Sequence, residues 1–102
     1  MWEKTSISLG TVQQKKKNYI EIKWLGEEQP IIYQMKSSCG CTAPKYDEKT
    51  KTLKVTYTPG AVPKHKQAEG QYFSRQQVKI WEKEQEEYTT AIDISAIVKK
   101  KI

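Results

Sequence analysis

Tyr19-Ile20-Glu21-Ile22-Lys23-Trp24 alternates without a fault. On an extended chain Ile20, Ile22 and Trp24 fall on one side, and Tyr19, Glu21 and Lys23 on the other. A period of two is the signature of a strand that buries one face. The pattern recurs downstream. Leu53, Val55 and Tyr57 alternate with Lys54, Thr56 and Thr58, and Val78 and Ile80 point inward within Gln71–Trp81. In Tyr88–Val98, the residues Ile92, Ile94, Ala96 and Val98 oppose Ala91, Asp93 and Ser95. Upstream, Thr5–Leu9 reads as a strand ending at Gly10. Pro30 opens a further strand, Ile31–Lys36, in which Ile31, Tyr33 and Met35 share a face. Turn formers separate these runs at Gly26–Pro30, Asp47–Lys51 and Thr58-Pro59-Gly60. The spacing predicts an all-β fold, an immunoglobulin-like antiparallel β-sandwich of about seven strands. Trp24, Tyr33 and Tyr57 are its expected buried aromatic residues. Residues 1–102 form a single domain in this reading, with a core over about 5–98 and a basic tail at 99–102.

Composition agrees. Isoleucine, valine and threonine total 24 of the 102 residues, against 8 for leucine and alanine. β-Branched side chains pack well on a pleated surface and poorly along a helix, so a helical bundle is disfavoured. No apolar run approaches the length of a membrane-crossing helix, so no membrane partner is expected. The start, Met1-Trp2-Glu3-Lys4, lacks the charged-then-apolar pattern of an export leader. The expected location is a virion or a host cytoplasm.

The net charge is +6, from 18 basic and 12 acidic residues, and Arg75 is the single arginine. Bidentate reading of guanine or phosphate favours arginine, so nucleic acid is a disfavoured partner. A lysine excess suits solubility, guarded sheet edges or an acidic protein surface. The candidate partner contacts are Lys15, Lys16 and Lys17; Pro63, Lys64, His65 and Lys66; and Lys99, Lys100 and Lys101. The second group lies in Ala61–Gly70, which has no apolar period and reads as a long mobile loop. His65 is read there as solvated, without a fixed partner for catalysis. Glu82–Glu87 reads as a solvated hairpin tip.

Cys39-Gly40-Cys41 is the remaining singular feature. Two cysteines and one histidine fall short of the four ligands of a structural zinc site, so no metal or other cofactor is expected. A bridge spanning one residue would close almost no loop, so reduced thiols are the expected state. The expected role is structural: small side chains packed at a strand corner, with Gly40 taking a backbone angle other residues avoid. Thiol-redox or metal-handling chemistry at this motif is the alternative.

Ser38-Cys39-Gly40-Cys41-Thr42-Ala43-Pro44 resembles the motif of the bacterial domain of unknown function 1573 family. That family falls within a wider immunoglobulin-like group that includes major-sperm-protein and cilium-associated domains. Leu9-Gly10 matches its opening, and Tyr19–Trp24 and Ile31–Met35 its strand pair. Leu53–Tyr57, Gly70, Val78–Trp81 and Ile92–Val98 match the remainder, about residues 5 to 98 in all. One departure is that Pro59-Gly60 follows the Leu53–Tyr57 strand, where the family pattern has Pro-Gly before it. The resemblance implies the sandwich fold and supplies no catalytic residues.

No phosphate-binding glycine loop, nucleophile elbow or paired-carboxylate cleft is legible. The expected function is therefore that of a non-enzymatic accessory module on a larger protein assembly. A bacteriophage shell is the foremost such assembly, with the major capsid protein or another particle subunit as partner. The domain would be monomeric or present in multiple copies on a lattice. An envelope or cytoplasmic scaffold domain is the second reading.

Overall fold

In the computed structural model, which describes residues 1–82 and 87–100, the alternating runs become strands. They are β1 (Ser6–Gln13), β2 (Asn18–Lys23), β3 (Gln34–Ser37), β4 (Thr42–Asp47), β5 (Thr52–Tyr57), β6 (Gln71–Trp81) and β7 (Thr90–Lys99). A four-stranded sheet has the order β1-β7-β6-β3, and a three-stranded sheet the order β2-β5-β4. The two sheets form a β-sandwich. The expected inward residues Ile20, Ile22, Leu53, Val55, Tyr57, Val78, Ile80, Ile92, Ile94, Ala96 and Val98 are all buried. Across this core the Tyr57 hydroxyl donates to Ser74 Oγ at 2.6 Å, so the polar tip of a buried ring is satisfied from the opposite sheet.

One pairing departs from the antiparallel expectation. β1 runs parallel to β7, while all other strand pairs are antiparallel. Parallel neighbours cannot be joined by a hairpin, but these two are linked through the whole sandwich, so chain length does not restrict their direction. β1 also continues past its expected stop. Gly10 takes φ +69° where the register shifts between Ser8 and Thr11, and the strand resumes to Gln13. Such a bulge absorbs one register irregularity at a residue without a Cβ.

Other expectations are corrected. The strand after Pro30 begins only at Gln34; Ile31 and Tyr33 are 76% and 56% exposed, so Tyr33 is not a core aromatic. Trp24 is half-buried and packs on the edge of the core. Its partner is Trp2, buried edge-on against Trp24 with ring centroids 5.0 Å apart. Gly40 does not take a positive φ; Lys15 and Lys51 do, besides Gly10 and Gly70. The Ala61–Gly70 stretch is not a featureless loop, because Lys64–Lys66 form a 3₁₀ turn and Val62 is buried. Lys99 ends β7 and is no part of a tail. Lys101 and residues 83–86 of the expected acidic tip lie outside the described residues.

Candidate functional site: a basic pole

Three segments far apart in sequence meet at one end of the sandwich. The β1–β2 turn is tied to β7 by Gln14 N–H donating to the Lys99 carbonyl at 2.9 Å. The same turn is tied to the end of β5 by Lys15 N–H donating to the Pro59 carbonyl at 2.7 Å. Gln14 Oε1 accepts from Val62 N–H at 2.8 Å, anchoring the β5–β6 connection. Lys100 N–H donates to the Gly70 carbonyl at 2.9 Å, and its ammonium donates to Gln67 Oε1 at 2.9 Å. Gln67 in turn donates from Nε2 to the Val62 carbonyl at 2.7 Å.

The architecture explains this meeting. β1, β5 and β7 all end at this pole, and β2, β4 and β6 all begin there, as the pairings Gln71–Lys99, Asn18–Tyr57 and Thr42–Tyr57 require. The candidate contacts are thereby brought together. Lys15, Lys16, Lys17, Lys64, His65 and Lys100 are exposed, while Pro63, Lys66 and Lys99 are half-buried. Lys66 pairs with Glu69 at 3.5 Å. Among the described residues of these segments Glu69 is the only carboxylate, against seven lysines. The other described residues carry nine basic and nine acidic side chains, which cancel, so the net positive charge of the described residues resides at this end. Clustered like charges with little counter-charge raise the local potential and attract anions.

Gln14, Gln67 and Tyr72 hold the pole together and carry no sequence signal that marks them. Tyr72 donates its hydroxyl to the Gly60 carbonyl at 2.8 Å. Burial, and secondarily the neighbouring Tyr57, push its phenol above the usual value of 10.0. A raised acid favours the neutral form in the fold. Its contribution is complete below about pH 10 and is lost as pH rises through the folded value. Tyr72→Phe is expected to cost about 0.5–1.5 kcal/mol at neutral pH, the worth of one hydrogen bond. It is also expected to flatten the decline in melting temperature above pH 10; thermal melts of both proteins from pH 7 to 11 measure this.

The cysteine pair sits where the chain leaves β3 and crosses to β4. Contrary to the reduced-thiol expectation, Cys39 and Cys41 form a disulfide. The crossing brings their Cα atoms to 5.3 Å, within bridging range. The bridge and His65 do not share a site, and among the described residues no group of three or more His, Cys, Asp or Glu is placed to hold a metal ion.

A protein family described as "Protein of unknown function (DUF1573)" matches residues 1–98. The chain belongs to this family. The match takes in every strand and the Cys-Gly-Cys crossing, and reaches the penultimate residue of β7, so family membership covers the sandwich and most of the basic pole. No curated protein and no solved structure matches the chain.

Proposed function

We propose that the chain is a non-enzymatic, immunoglobulin-like accessory module that docks, basic pole first, on an acidic surface of a larger protein assembly. The observation that carries this reading is the convergence of three separate lysine groups at one end, with the other described residues electrically balanced. The lysines are compact point charges without the planar fork that reads bases, which favours an acidic protein face over nucleic acid. Single contacts of this kind are weak, and many copies on a repeating lattice, such as a virus shell, would add up by avidity.

The test uses poly-L-glutamate as probe. Binding is expected to weaken steeply with added salt, because exposed charges are screened within about 8 Å at 0.15 M. Reversing Lys15, Lys16, Lys17, Lys64 and Lys66 to Glu is expected to abolish it. Reversing Lys4, Lys23, Lys36, Lys45 and Lys49 makes the same change in net charge and is expected to leave most of it. Equal losses in the two variants would show that overall charge, and not the pole, does the binding. Tighter binding to duplex DNA than to polyglutamate at 0.15 M salt would reassign the pole to nucleic acid.

A further inference from the structure

We propose that Cys39–Cys41 is a thiol–disulfide exchange site that reacts in the folded state with an external dithiol, with Cys41 the sulfur attacked and Cys39 the sulfur released. The bridge spans one residue, so it holds no distant parts of the chain together and is poorly explained as a structural staple. The crossing is held independently of it. The Ser37 hydroxyl donates to the Cys39 carbonyl at 2.9 Å, and Thr58 N–H donates to the Cys41 carbonyl at 2.8 Å. Ser38 Oγ donates to Gln76 Oε1 at 2.8 Å and accepts from Gln77 N–H at 2.9 Å. With both flanks anchored, the opened thiols stay in position to close again.

The two sulfurs differ. Cys39 Sγ accepts a hydrogen bond from Cys41 N–H at 3.2 Å. That donor stabilises negative charge on Cys39, and a stabilised thiolate is the better leaving group. The Thr42 hydroxyl lies 4.0 Å from Cys39 Sγ and 3.6 Å from Cys41 Sγ, able to turn to either. Gly40 between them is exposed, and Cys39 and Cys41 are each only partly buried, Cys41 resting against the edge of the core.

A thiolate of the dithiol attacks Cys41 Sγ, forming a mixed disulfide as the Cys39–Cys41 bond breaks. The electron pair leaves on Cys39 Sγ. The second thiolate of the dithiol then closes on its own sulfur in the mixed disulfide and expels Cys41 as a thiolate. The dithiol becomes a disulfide, two electrons pass to the protein, and the two protons lost by the dithiol reach Cys39 and Cys41 through water.

The full chain is exposed to dithiothreitol or to reduced glutathione, acid-quenched or alkylated at intervals, and mapped by mass spectrometry, with circular dichroism recorded in parallel. Reduction is expected while the sheet signal is unchanged, and the glutathione adduct is expected on Cys41. In Cys39→Ser, which has no bridge to open, oxidised glutathione should place a lasting adduct on Cys41, with one glutathione thiolate released, because the resolving thiol is gone. Reduction that proceeds only as the chain unfolds in urea would overturn the proposal, as would an adduct mainly on Cys39. Neither result depends on whether the basic pole binds anions.

Discussion

Replacing Leu53 with alanine is expected to lower the unfolding free energy by about 2–5 kcal/mol, the range for emptying a buried leucine site. Leu53 is 0% exposed on β5, the central strand of the smaller sheet, flanked in register by Ile22 on β2 and Tyr46 on β4. With strands hydrogen-bonded on both sides, the backbone cannot collapse into the space the side chain leaves. Domains of this size have about 5–15 kcal/mol of stability in total, so the loss is a large share. The melting temperature should fall on the order of 8–40 °C, at about 4–8 °C per kcal/mol. Urea unfolding should show a lower midpoint with an unchanged slope, as for a native-state cavity. A midpoint within error of the parent would mean that the two sheets do not meet at this position.

Trp2→Ala is the second large loss, expected at about 3–5 kcal/mol. Trp2 is 6% exposed and stacks edge-on against Trp24 and Tyr46, with centroids 5.0 and 6.0 Å away. The backbone beside it is pinned to the end of β2: Glu3 N–H donates to the Lys23 carbonyl at 2.9 Å, and Lys23 N–H donates to Glu3 Oε1 at 3.0 Å. Yet Trp2 Nε1 is buried without a hydrogen-bond acceptor among the described residues. An unpaired buried donor costs about 1–3 kcal/mol, and phenylalanine removes it while keeping an aromatic ring. Trp2→Phe is therefore expected to cost much less than Trp2→Ala. Equal costs in urea titrations would show that the indole N–H is stabilising after all.

The strands that were legible are those whose burial is decided locally. Ile20 and Ile22, Leu53 through Tyr57, and Ile92 through Val98 alternate because each strand has one dry face, and that fact is written in every second residue. β4 is harder to read. Its inward residues are Thr42, Pro44 and Tyr46, and only the last looks like core. Ile31 and Tyr33 mislead in the other direction, since apolar residues also occupy the exposed approach to β3. The parallel course of β1 leaves no local mark, because it is fixed by a partner at the other end of the chain. The pole shows the same division. Its lysines could be named individually, but their assembly depends on bonds such as Val62 to Gln14, 48 residues apart, which no window of sequence contains. The disulfide is not legible in the sequence, because a short bridge promises little stability, an argument about worth and not about geometry.

The segregation of charge has a consequence for how this molecule would travel. β6 alone spans about 33 Å from Gln71 to Trp81 at about 3.3 Å per residue, several times the roughly 8 Å over which ions at 0.15 M blot out a field. Near an anionic plane, the lysine end would be pulled while the far end felt almost nothing. The result is a torque, and the sandwich would turn upright before it landed.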